Sequence, residues 1–200
     1  VRVQLLPEGT KFVTLDEKER KRQGNDLMIC DAEEGMCIAG VFGGMHSGVT
    51  DTTSNIFLES AYFDPQYIRR TSLHHGLRTD AATHFEKGVD INNLQAALER
   101  AAQMMVEIAG GTITSATTDI YARQVEPKTV DVTYNYITKL SGKEYDSERI
   151  KKLLVALGFS LQNITEDGFT VVVPTNKTDV FQQADIVEEI LRVYGYDRIV

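Results

Sequence analysis

The feature that most constrains this chain is a change of hydrophobic texture at Asp64-Pro65. Before it, short apolar runs recur between turn residues: Phe12-Val13-Thr14-Leu15, Leu27-Met28-Ile29-Cys30, Met36 to Val41, and Asn55 to Leu58. Such runs read as strands. After it, apolar residues fall at three- and four-residue steps, the period of a helix buried along one side. Ile68 to Leu73 reads as helix, and Asp80 to Asp90 as a second helix capped by Thr79 or Asp80. Leu94, Ala97, Ala101, Met104, Met105 and Ile108 mark the stripe of a third, from about Asn92 to a left-handed cap at Gly110 or Gly111, with the methionines as core filler. The pattern predicts an α+β fold whose β-rich part is barrel-like and carries packed helices.

Gly111 to Tyr121 reads as one more strand, and the polar stretch 122–128, which holds Pro127 and no periodicity, reads as a domain boundary. Two domains are expected, 1–122 and 127–200. The second begins with a strand at Val130 to Thr133 and a short helix at Tyr134 to Leu140. A helix from Ser147 puts Ile150, Leu153, Leu154 and Leu157 on one face and stops at Gly158. Leu161 to Asn163 and Phe169 to Val173 form a hairpin around Glu166-Asp167-Gly168, where Asp-Gly offers a positive φ. A last helix, about Val180 to Tyr194, turns Ile186, Ile190, Val193 and Tyr194 inward. This is a small helix-plus-hairpin module.

Charge narrows the function classes. Lys+Arg 21 against Asp+Glu 29 gives −8, so a nucleic acid would be met by a local patch and not by a basic body. No apolar stretch approaches the roughly 20 residues of a membrane helix, and the opening Val1-Arg2-Val3-Gln4-Leu5 resembles a strand, not a signal peptide. The expectation is a cytoplasmic piece of a longer protein, with no membrane partner. Cys30 and Cys37 lack zinc or redox spacing and read as buried free thiols.

The sequence Gly40-Val41-Phe42-Gly43-Gly44 lacks phosphate-loop spacing, so these glycines imply close backbone approach, to another strand or to a ligand. Glu59 sits in the apolar run Asn55 to Phe63, either at an exposed edge, which the pattern favours, or buried with a partner. His46, His74, His75 and His84 show no metal-binding spacing, and no metal site is expected. Arg69, Arg70, His74, His75 and Arg78 form the only dense positive cluster, a phosphate-contact candidate or else a solvated helix face. No Ser-His-Asp order or nucleophile elbow is present, so hydrolysis would use an activated water.

Several stretches together resemble the beta subunit of bacterial phenylalanyl-tRNA synthetase. They are Ile38 to Gly44, Ser47-Gly48-Val49-Thr50-Asp51, Asn55 to Phe63, Arg78-Thr79-Asp80-Ala81, and Phe85 to Asp90, which match that family's editing domain in order and spacing. Leu157-Gly158-Phe159, Val173-Pro174, Asp185 to Ile190 and Arg192 to Asp197 resemble the module that follows it. The resemblance implies hydrolytic editing of tyrosine wrongly attached to phenylalanine tRNA, with tyrosine as editing ligand. It makes Glu59 the reader of the tyrosine hydroxyl, which reverses the exposure that the pattern favours. Thr79 becomes the catalytic candidate, Ala81 a small residue beside the ring, and Gly43 and Gly44 the pocket wall, with backbone N–H groups there facing the developing oxyanion.

Arg69, Arg70, His75 and Arg78 become the tRNA-contact candidates. The second module is implied to be nucleic-acid-binding-like or a scaffold. Phenylalanine tRNA and the synthetase alpha subunit, in a heterotetramer of two alpha and two beta, are the implied partners. ATP and magnesium are implied for the complete enzyme and no cofactor for this chain. The competing reading is a noncatalytic scaffold for tRNA or the alpha subunit. His84, Lys87 and Lys177 stand where arginines are usual in the family, and lysine does not reproduce the bidentate guanidinium fork.

Overall fold

The computed structural model describes residues 1–121 and 124–196, and its contacts divide the chain into two compact units, Val1–Ser115 and Ala116–Val200. Of the polar stretch 122–128, Ala122 and Arg123 lie outside the described residues, as does Asp197 of the last motif.

The first unit contains β1 (Arg2–Leu5), β2 (Lys11–Val13), β3 (Glu19–Lys21), β4 (Leu27–Cys30), β5 (Gly35–Ile38) and β6 (Phe42–Gly43). An antiparallel sheet runs β1-β4-β5-β6, and β2 pairs with β3 as a separate hairpin, bridged to the sheet through Thr14 and Gly44. The uninterrupted apolar run of β4 lies between two neighbours, with Met28, Ile29 and Cys30 buried. Helix α1 (Pro65–His75) starts at Asp64, whose carboxylate accepts the Gln66 N–H, and ends at left-handed Gly76. Helix α2 (Asp80–Lys87) is capped by Thr79. Ile68 of α1 and Ala82 of α2 pack with Met28, Ile38 and Phe63 into one core. Burying each large side chain contributes about 1.5–3 kcal/mol.

The α+β class holds, but among the described residues the strands close no barrel. Strand β6 has two residues, and β1 is an edge whose four residues are all exposed, so no strand is placed to join the ends. Residues 55–58 form no strand, and Ile56 and Phe57 stay exposed. Residues 111–121 likewise lack strand structure and are exposed. Helix α3 (Leu94–Ala109) forms with its cap at Gly110, yet buries no residue. Met104 and Met105, expected as core filler, are 41% and 38% exposed.

The second unit contains β7 (Lys128–Thr133), α4 (Tyr134–Ser141), α5 (Ser147–Ala156), β8 (Ser160–Gln162), β9 (Gly168–Val173) and α6 (Gln183–Tyr194). Its antiparallel sheet runs β7-β9-β8. Val130, Val132, Phe169, Val171 and Val173 meet Ile137, Ile150, Leu154, Ile186 and Ile190 in a single core. Leu153 and Leu157 are packed against this core while only partly buried, and Val193 is exposed. Gly168 is not at positive φ; a Cβ there would lie 2.2 Å from the Val132 carbonyl oxygen, so glycine is required by the closeness of β7. Lys177 Nζ lies 2.5 Å from Glu189 Oε2 and Arg192 Nη1 lies 3.3 Å from Oε1, so two separate cations hold the carboxylate. Among the described residues no helix is long and apolar enough to cross a membrane.

Candidate functional site

The residues singled out in the first unit gather around the β5–β6 hairpin. Gly43 stands opposite Cys37 in the ladder, and Cys37 lies within electrostatic reach of Glu59. Between the strands, the Val41 carbonyl accepts the Thr79 hydroxyl proton at 2.6 Å, tying the start of α2 to the hairpin. Ala81, two residues into that helix end, is exposed.

Glu59 is held without a β-ladder. Its neighbour Ser60 donates to the Leu94 carbonyl at 2.9 Å, and Phe63 is buried against Phe85 with ring centroids 5.1 Å apart. Counted over all its atoms Glu59 is exposed, which matches the pattern's expectation and not the buried position that the resemblance implies. Its carboxyl is nevertheless crowded by protein, and burial pushes its pKa above the usual carboxylate value. No hydrogen bond or ion pair engages Glu59 among the described residues. Burial, then the Glu59 charge, pushes the half-buried Cys37 thiol up to about 11.

Thr79 is already engaged. Its proton goes to Val41, and one lone pair accepts the Ala82 N–H at 3.0 Å, leaving one lone pair for a further donor. Gly44 is similarly committed: its N–H, which the resemblance turns toward an oxyanion, donates to the Met36 carbonyl at 2.9 Å. A Cβ on Gly44 would lie 2.4 Å from that carbonyl and 2.7 Å from the Phe12 ring, and one on Gly43 would lie 2.8 Å from Leu15 Cδ1. These glycines admit close approach by Leu15, Phe12 and the Met36 backbone.

The basic cluster divides. Arg69 and Arg70 are exposed on α1, and exposed Arg78 pairs with Glu86 at 3.2 Å, a pair contributing about 0–1 kcal/mol. His75 is not a surface contact: its side chain is 4% exposed, with Nε2 2.7 Å from Asp26 Oδ2. The last turn of α1 faces the segment before β4, where Asp26 also accepts the Thr71 hydroxyl at 2.9 Å and the Gln23 N–H at 2.8 Å. Arg20 adds a hydrogen bond to the His75 carbonyl at 3.0 Å. Sequence reasoning missed Asp26, because a single acid in a polar turn carries no periodic signal. His84 and Lys87, at the far end of α2, are exposed.

Among the described residues no group of three or more His, Cys, Asp or Glu could hold a metal ion. A cavity of about 620 Å³ in the second unit, lined by residues including Tyr134, Tyr145 and Asp146, contains none of the candidate residues.

Residues 1–110 match the B3/4 domain and residues 130–196 the tRNA synthetase B5 domain. The phenylalanine–tRNA ligase beta subunit of Bacteroides thetaiotaomicron is 47% identical over 98% of this chain. That of Porphyromonas gingivalis is 42% identical over 100% of it. In both cases the chain spans 24% of the relative's length. A solved N-terminal fragment of the phenylalanyl-tRNA synthetase beta subunit from Pyrococcus horikoshii matches at TM-score 0.44 and 17% identity, over 97% of this chain and 56% of that one. The chain belongs to the B3/4 domain family, continues into a tRNA synthetase B5 domain, and is similar almost throughout to phenylalanine–tRNA ligase beta subunits.

Proposed function

We propose that this chain is part of a phenylalanine–tRNA ligase beta subunit and that residues 1–122 hydrolyse tyrosine wrongly esterified to phenylalanine tRNA. The observation that carries the reading is Glu59, a partly desolvated carboxyl with no hydrogen-bond or ion-pair partner among the described residues, beside the hairpin that contains Gly43 and accepts the Thr79 hydroxyl. A tyrosine phenol would donate to it, offsetting the cost of desolvating the ionised form. Phenylalanine would leave it unpaired, a difference of about 1–3 kcal/mol. Ala81 would leave room for the ring, and Gly43 would form part of the wall. With no nucleophile elbow, water attacks the ester directly, and the free lone pair of Thr79 can accept a hydrogen bond from that water. Phenylalanine tRNA reaches the site along the exposed Arg69 and Arg70, with Arg78 released from Glu86.

The alpha subunit, ATP and magnesium belong to the whole enzyme in this reading, and residues 127–200 serve as a supporting module. The scaffold reading draws on the engaged Thr79 hydroxyl and Gly44 amide, which are structural ties as they stand. Deacylation of tyrosyl- and phenylalanyl-tRNA by the two-subunit enzyme, with wild-type Glu59 and with Glu59→Ala, separates the two. Loss of the preference for the tyrosyl ester supports editing. Unchanged discrimination makes Glu59 structural and favours the scaffold.

A further inference from the structure

His75, read from sequence as a surface contact, lies at a junction that bears on the geometry of the proposed site. Three hydrogen bonds and three short stretches of chain close a ring. The Asp26–His75 pair, at 2.7 Å, joins the end of α1 to the start of β4. Leu27, next to Asp26, accepts the Ala39 N–H at 2.8 Å, and Val41, two residues beyond Ala39, accepts the Thr79 hydroxyl at 2.6 Å. Residues 75–79 complete the circuit back to His75.

That last stretch has little slack. The Leu77 N–H donates to the Ser72 carbonyl at 2.9 Å, the Ser72 hydroxyl donates to the Leu77 carbonyl at 2.6 Å, and Leu77 is 8% exposed. The position of Thr79 against the hairpin is therefore set at one end by Val41 and at the other by His75.

We infer that the buried Asp26–His75 pair is a positioning device for the editing site, fixing where Thr79 and the first turn of α2 stand relative to the wall at Val41 to Gly44. This rests on the editing reading above. The Asp26 side chain is 1% exposed, and its carboxylate can only accept, so the ring nitrogen donates to it. Without that donor, one side of a buried carboxylate is left open and the end of α1 loses its anchor on β4. Displacement of catalytic groups by about 1 Å costs on the order of a hundredfold in rate, so a modest shift at His75 reaches the chemistry through Thr79.

The test uses the complete two-subunit enzyme, measuring kcat and KM for tyrosyl-tRNA deacylation alongside phenylalanine aminoacylation. His75→Leu removes the donor, His75→Gln restores an N–H at a similar reach, and Thr79→Val removes the tether. The expected result is a fall in kcat of about tenfold to a hundredfold in His75→Leu with little change in KM or aminoacylation, and recovery of most of the rate in His75→Gln. The double variant His75→Leu/Thr79→Val should be no slower than the slower single variant, because both act through one element. Retained kcat in His75→Leu, or losses that multiply in the double variant, overturns the inference. Should His75→Leu fail to assemble, Asp26→Leu, which removes the acceptor, is read against the same expectations, and full kcat in it overturns the inference equally. If the wild-type enzyme does not deacylate the tyrosyl ester, the editing reading falls and takes this inference with it. If Glu59→Ala loses discrimination while the His75 variants keep full rate, only the inference falls.

Discussion

Glu189 is 3% exposed, and its two carboxylate oxygens are held by Lys177 and Arg192. Lys177 supplies one point contact, and Arg192, a turn along the same helix as Glu189, supplies the other. Removing one partner from a buried charge costs more than the pair contributes, because the remaining ion keeps its desolvation penalty. Lys177→Ala should therefore destabilise the second unit by about 1–3 kcal/mol, and Lys177→Arg should be tolerated. Hydrogen exchange at the amides of α6 reads both. A second residue-scale prediction concerns Cys37. Its folded pKa of about 11 exceeds the ordinary thiol value of 9.0, so between these values the unfolded chain has released a proton that the folded chain retains. The stabilisation is whole below 9.0 and is lost as pH rises through about 11. Alkylation of Cys37 in the native protein should stay slow at neutral pH and accelerate only toward that range, as mass spectrometry of modified peptides would show.

At the scale of elements, capping was legible and covering was not. Thr79 and Gly110 start and stop helices through local chemistry that a few neighbouring residues encode. The stripe on α3 correctly announces a helix, but a stripe states that a face can be buried, not that something buries it. With no residue of α3 buried, its amides should exchange faster than those of α1, which contributes Ile68, Thr71 and Ser72 to the interior. Gly168 separates two uses of glycine in the same way. Gly168→Ala should cost about 3 kcal/mol or more, since a Cβ meets β7 backbone at 2.2 Å. Gly142→Ala meets nothing within 4 Å and should cost about 1–2 kcal/mol for its φ of 73°. Thermal unfolding of the two variants gives the order directly.

Across the whole molecule, the sequence by itself determined the α+β class, the β4 run, the helix starts at Asp80, Tyr134 and Ser147 and the later module, because each follows from a period or a turn residue acting over a few positions. It also carried the family, through motifs that keep their order from Ile38 to Tyr196. Only the tertiary structure decided that the strands stay an open sheet, that residues 55–58 and 111–121 find no ladder, and that His75 turns inward to Asp26. The same holds at the candidate site. Residue types at Glu59, Thr79 and Gly44 were readable, but whether a hydroxyl or an amide is free depends on which distant carbonyl has already taken its hydrogen. The Val41 oxygen lies 38 positions from Thr79, and His75 lies 49 from Asp26. Pairings at that separation leave no periodic trace in a single chain, since loop closure lets many partners meet and packing selects among them.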